Sequence, residues 1–251
     1  MFDNYTSIEN FKEVCGYTIN DVWYPRVTKI LSIKAKPALY RYYGEAASFK
    51  AAQAVTEKSA EEGTLVHEIS QAILLGKDPE VDPSVKPAID AFRQFLAENN
   101  IQTAPEYIER RIVHYDHRYA GTIDALALIN GQFGVMDIKT SQGIYRDYNL
   151  QTAAYMDALK HEFNLQNRWI LRIDQIQLCN RCRATLRTKG GREKVKNNRA
   201  PCPQGMHDWG PMKGQIELQE FPLWEDDFQA FLAAKRLWEW ENDSWLKRID
   251  Y

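Results

Sequence analysis

Residues 119–139 read Tyr-Ala-Gly-Thr-Ile-Asp-Ala-Leu-Ala-Leu-Ile-Asn-Gly-Gln-Phe-Gly-Val-Met-Asp-Ile-Lys, two runs of strand formers joined by Asn130-Gly131. Asn-Gly tolerates the positive φ angles of a two-residue hairpin turn, whose twist matches that of the flanking strands. With that turn Ile129 pairs with Gln132, and counting outward brings Asp124 opposite Asp137. Cross-strand partners stand about 5 Å apart at Cβ and project to one face. Lys139, two residues beyond Asp137, projects to that face too. Two carboxylates and an ammonium therefore converge at one end of the hairpin.

The remainder of the hairpin is apolar. Leu126 and Leu128 oppose Val135 and Phe133 on the acidic face, and Ile123, Ala125, Ala127 and Ile129 oppose Met136 and Ile138 on the other. Such a hairpin belongs in the middle of a sheet covered on both sides. Two facing acids there repel unless something positive lies between them. Hard oxygen ligands of this kind suit Mg²⁺ or Mn²⁺. The plain alternative is an Asp137–Lys139 salt bridge with Asp124 solvated at a strand end.

Outward from the hairpin, the first 104 residues read as mainly helical. One helix is predicted over 64–75, with Leu65, Ile69, Ala72 and Ile73 on an apolar stripe. A second is predicted over 87–98, with Pro87 in its first turn and Ile89, Phe92, Phe95 and Leu96 inward. Strands are predicted over 107–114, 119–128 and 133–139, then a helix over 148–160 and strands over 169–178 and 215–221. An amphipathic helix over 225–241 closes the chain, with Phe228, Phe231, Leu232 and Trp238 inward. This order predicts an α/β (α+β) fold, a central mixed sheet flanked by helices.

The 251 residues, 44% hydrophobic and 26% charged, suit one domain carrying an insertion. Its parts are a helical 1–104, a core of 105–178 and 211–251, and an insertion at 179–209. With a net charge of −2, any nucleic-acid contact must come from local basic patches. No apolar run reaches membrane-span length. The acidic opening Met1-Phe2-Asp3-Asn4 lacks the layout of a secretory or transit signal. An intracellular, cytoplasmic protein with no membrane partner is the expectation.

In that setting cysteines point to metal rather than disulfides. Cys179-x2-Cys182 is followed by Cys202-x4-His207, three thiolates and an imidazole that suit tetrahedral structural zinc. Between them stand Arg181, Arg183, Arg187, Lys189, Arg192, Lys194, Lys196 and Arg199 against Glu193, a local net of +7. A basic loop staked by zinc reads as a phosphate-contacting finger, with Arg187, Lys189 and Lys194 as its contacts. A metal-free, disordered insertion is the alternative.

Gly121-Thr122-Ile123-Asp124, Asp137-Ile138-Lys139 and Gln151-Thr152-Ala153-Ala154-Tyr155 occur in the order G-x-x-D, D-x-K, Q-x-x-x-Y. Upstream, Gly63-Thr64-Leu65-Val66-His67 puts a histidine on a helix. The chain in this respect resembles the RecB-like branch of the PD-(D/E)XK nucleases. Within that branch, Pro25–Leu31 and the stretch from Asn149 through Met156 are similar to the mitochondrial genome maintenance exonuclease family. The likeness spans about Pro25 to Arg172 plus the last strand and helix, and leaves out the cysteine insertion.

The resemblance implies a PD-(D/E)XK restriction-endonuclease-like core and a Mg²⁺- or Mn²⁺-dependent DNA nuclease. Single-stranded DNA is the implied partner, and exonucleolytic cleavage in repair, recombination or replication the implied activity. A flap or other structure-specific endonuclease and a catalytically silent nucleic-acid-binding module are the alternatives. By the same likeness His67, Asp124, Asp137 and the Ile138 backbone carbonyl bind the catalytic metal. Lys139 orients or activates the attacking water, and Gln151 and Tyr155 position phosphate or lysine. Taken alone, His67 reads as a packed or capping histidine. Some RecB-like nucleases hold an iron–sulfur cluster on one early and three late cysteines, a count that Cys15 with Cys179, Cys182 and Cys202 copies. Their late cysteines follow the last helix, however, whereas these interrupt the sheet and leave His207 over, so the spacing favours zinc.

Overall fold

Asn130 and Gly131 take φ of 51° and 81°, and the ladder runs from Ile129↔Gln132 to Ala125↔Met136. Over these five pairs the hairpin forms in the register read from its turn, but the ladder ends one step short of the expected Asp124–Asp137 pair. The computed structural model describes residues 5–203 and 206–251; the acidic opening (residues 1–4) and residues 204–205 of the insertion lie outside the described residues.

The fold is α/β, with a mixed central sheet between helical layers. A small hairpin, β1 (Gly16–Ile19) and β2 (Val22–Pro25), follows α1 (Ile8–Cys15) and precedes α2 (Val27–Ile30). Helices α3 (Pro37–Glu45), α4 (Phe49–Leu74) and α5 (Lys86–Glu98) come next. The main sheet then begins with β3 (Ile101–Gln102), β4 (Ile108–His114), β5 (Tyr119–Ile129) and β6 (Gln132–Lys139). After α6 (Asp147–Leu159) come β7 (Asn167–Cys179), β8 (Thr185–Lys189), β9 (Arg192–Lys196) and β10 (Trp209–Glu220). Helices α7 (Glu225–Glu241) and α8 (Asp243–Leu246) close the chain.

Strands β6 and β7 are parallel, joined through α6, as parallel neighbours require a crossover. The other described pairings in this sheet are antiparallel. Strand β7 pairs with β10 along one edge and with β6, then β8, along the other. The β8–β9 hairpin therefore lies beyond the C-terminal end of β6, where Lys139 stands. On one face the sheet packs against α1, α2, α6, α7 and α8 through Phe11, Leu150, Tyr155 and Phe231. On the other it packs against α4 and α5 through Val66, Ile69, Ile89 and Phe92. Each such side chain fully buried contributes about 1.5–3 kcal/mol. Among the described residues no helix is long and apolar enough to cross a membrane.

Three expectations need correction. Helix α4 starts at Phe49, not near residue 64: Ser48 caps it by accepting from Ala51 N at 3.1 Å. Its first half is mostly solvated helix formers with Ala52 buried, so the apolar stripe marks only the second half. The insertion, read as a loop, contains the β8–β9 hairpin. Ile123 does not share a face with Ala125. Tyr119 and Ile123 pack with Leu126 in one cluster, whereas Ala125, Ala127 and Ile129 pack in the other. The facing strand switches likewise, Ile112 lying in the first cluster and Ile108 in the second. Between them stands Glu109 with φ of 51°, so both strands change face at the Glu109–Asp124 step.

Candidate active site

That step lies where four elements meet. Helix α4 brings His67, β5 brings Asp124, β6 brings Asp137, Ile138 and Lys139, and α6 brings Gln151 and Tyr155. The ladder stops at Ala125↔Met136, and Asp124 continues it through its side chain: Ile138 N donates to Asp124 Oδ2 at 2.6 Å. Asp124 Oδ1 faces His67 Nδ1 at 3.8 Å. Asp137 Oδ1 accepts from Gln151 Nε2 at 3.0 Å, and the same amide nitrogen lies 2.9 Å from the Tyr155 hydroxyl oxygen. Asp137 Oδ2 has the Lys139 ammonium at 2.5 Å but no well-directed hydrogen bond among the described residues. All seven residues assigned to this site from the sequence come together.

Two glycines of the motifs are steric necessities. A Cβ on Gly121 would stand 2.6 Å from Tyr155 Cε1, and one on Gly63 would stand 2.8 Å from Thr140 Oγ1. The first lets α6 lay Tyr155 against β5. The second lets α4 approach the end of β6 and so carry His67 to Asp124.

The site is short of positive charge. Burial pushes Asp137 up to about 6, helped by Asp124 and opposed by Lys139. Burial also raises Asp124, against the pull of His67 and Lys139. Burial disfavours the Lys139 charge, but Asp137 and Asp124 outweigh it and hold the ammonium protonated. Its Nζ also lies 5.2 Å from the Tyr148 ring centroid. Two desolvated carboxylates, one with a poorly satisfied oxygen, are hard oxygen donors of the kind a divalent cation takes, but His67, Asp124 and Asp137 do not bring three ligand atoms within 4.8 Å of one another.

Glu109 was not found from the sequence. Burial raises its carboxyl, against His67, and Gln71 Nε2 donates to its Oε1 at 2.5 Å. The signal was present. The four-residue connection 115–118 pairs His114 with Tyr119, which sets Glu109 opposite Asp124.

The second assembly is Cys179, Cys182, Cys202 and His207, whose ligand atoms all lie within 4.8 Å of one another. Cys179 Sγ and Cys202 Sγ are 3.7 Å apart, and Cys182 Sγ and His207 Nδ1 are 3.4 Å apart. Tetrahedral zinc at ordinary bond lengths requires about 3.8 and 3.6 Å. Burial works against the Cys179 thiolate, but the backbone N–H groups of Cys182 and Arg181 and the His207 ring bring the thiol down to about 5. Desolvation and the two neighbouring sulfurs push the half-buried Cys202 up to about 11. The cluster could hold a metal. Cys15 takes no part, lying in the core with Phe11 and Trp23 and donating from Sγ to Tyr5 Oη at 3.0 Å.

The basic residues read as phosphate contacts divide. Arg187 Nε pairs with Asp174 Oδ2 at 2.7 Å. Lys189 Nζ donates to the carbonyl and the hydroxyl of Thr140, the latter at 2.9 Å. Lys194 is exposed and donates to Gln142 Oε1 at 2.9 Å.

No family model matches the chain, and no curated protein matches it. Among solved structures, a chain described as the crystal structure of SSO0001 aligns with 86% of this chain and 75% of its own. Identity is 15% and the TM-score 0.37, a likeness too slight to bear on fold family or function.

Proposed function

We propose that this chain is a metal-dependent nuclease of the PD-(D/E)XK type, acting on single-stranded DNA. One observation carries the reading: His67, Asp124, Asp137, Lys139, Gln151 and Tyr155, far apart in sequence, converge around two desolvated carboxylates. His67, Asp124 and Asp137, with the Ile138 carbonyl, would hold Mg²⁺ or Mn²⁺. When bound, the ion neutralises phosphoryl oxygens and lowers the pKa of water. Lys139, kept charged by Asp137, orients the attacking water and offsets charge building on the phosphate. Gln151 fixes the Asp137 carboxylate and holds the Tyr155 hydroxyl, leaving the carboxylate little rotational freedom. The Ile138 N–H does the same for Asp124.

The exonuclease reading, and a place in repair, recombination or replication, rest on the motif resemblance. The Cys3His group is proposed to hold zinc, on the agreement between its spacings and tetrahedral thiolate coordination. Incubating purified protein with end-labelled single-stranded DNA, with and without Mg²⁺, is the test. Mg²⁺-dependent release of mononucleotides or short products is expected. Binding without cleavage under any divalent ion would make the chain a silent nucleic-acid-binding module. Cleavage of circular single strands would make it an endonuclease.

A further inference from the structure

Following Lys139 in the chain, residues 140–148 help wall a groove of about 570 Å³, closed otherwise by α3 and α4 and the β8–β9 hairpin. Four cations line it, and among the described residues no carboxylate does. Two of the four are spent internally: Arg187 on Asp174 and Lys189 on Thr140. The other two, Arg192 and Lys194, are exposed and meet neutral partners. The Arg192 guanidinium lies 4.0 Å over the Tyr42 ring, and Lys194 reaches Gln142. Tyr145, half exposed, meets Tyr148 edge-on with centroids 5.7 Å apart. Tyr148 in turn faces the Lys139 ammonium. The groove therefore borders the proposed catalytic centre through one shared ring, Tyr148, which lines the groove and faces Lys139.

Its wall is pinned. Gly190 at the hairpin tip donates from N to both Glu62 carboxylate oxygens at 3.1 Å. A Cβ there would come within 2.2 Å of Ser59 Oγ. The Cys3His group holds the base of the same hairpin and α4 holds its tip.

We infer that this groove is the path of a single strand toward Lys139, with the cysteine-anchored hairpin as its outer wall. Tyr145 offers a face on which an unpaired base stacks, and Arg192 and Lys194 take flanking phosphates. A paired base is already stacked inside its duplex and has no face to give, so the groove selects single strands. This deepens the nuclease reading and rests on it for the strand's destination.

The test is binding, measured without Mg²⁺ by the anisotropy of a labelled oligothymidylate of about 16 nucleotides and a blunt duplex of equal length. Wild-type protein is expected to prefer the single strand by about tenfold or more. Tyr145→Ala is expected to weaken binding about fivefold or more, and Tyr145→Phe, which keeps the ring, to restore it. The double variant Arg192→Ala/Lys194→Ala should flatten the slope of log K against log salt by about 1.4. Melting curves and bound-metal content confirm that each variant is folded. Equal affinity for duplex, or variants binding like wild type, would overturn the path. Groove-dependent binding with no cleavage in Mg²⁺ would uphold the path and remove the nuclease reading instead.

Discussion

Asp137 is almost wholly buried, and what holds it there also defines its use. Replacing it with Asn keeps the shape but removes the charge that pairs with Lys139 and that the proposed divalent ion would need. Asp137→Asn and Lys139→Ala are each expected to abolish cleavage while leaving circular dichroism unchanged. Mg²⁺ should raise the melting temperature of the wild type and not that of Asp137→Asn, because only an ion bound by the folded state shifts the transition. Wild-type turnover by either folded variant would refute the assignment. Gly121→Ala forces a methyl group onto the Tyr155 ring edge. Overpacking of this sort costs about 1–3 kcal/mol, so a lower melting temperature and slower cleavage together are expected. At this scale the sequence was largely readable, because one Asn-Gly turn fixes the partners of every residue near it. Glu109 escaped because its position follows from a longer connection, and Ile123 was misplaced because strict alternation fails where both strands change face.

Among the elements, those with one apolar face were legible and those without were not. Helix α7 matches its predicted bounds and α5 falls within a residue of them, their buried residues declaring the period. Strand β9, Arg-Glu-Lys-Val-Lys, is exposed throughout, so no alternation marks it. Only Gly190-Gly191, with φ of 61° and 77°, hints at its turn. The hairpin it forms with β8 has little core of its own, and Leu186 is its one buried large side chain. Cys182→Ser is therefore expected to abolish the zinc binding proposed for this cluster, measured by elemental analysis, and to expose residues 183–201 to rapid hydrogen exchange. The Mg²⁺-dependent melting shift should survive, since the carboxylate site stands on β5 and β6. Iron with labile sulfide in the purified protein would replace zinc in this account.

For the molecule as a whole, the acidic total and the basic groove give opposite expectations for nucleic acid. A chain of net charge −2 has no long-range pull on DNA, so binding should fade steeply between about 50 and 200 mM salt if local phosphate contacts carry it. Chelation should stop cleavage, and Mg²⁺ or Mn²⁺ should restore it. Ca²⁺ should occupy the site with little turnover, its looser coordination holding water poorly. Lastly, Cys179 is the partner of Trp209 in the β7–β10 ladder, and the His207 ring packs on Trp209 with centroids 4.6 Å apart. Half of the thiolate–imidazole set is thus anchored at the end of a ladder that needs no metal to form. The order of assembly expected from this hierarchy is the sheet first, the ion next in a half-built seat, and the basic arm last. Unlike small zinc modules that are unfolded without their ion, this chain should refold its sheet in zinc-free buffer and take up the metal afterwards.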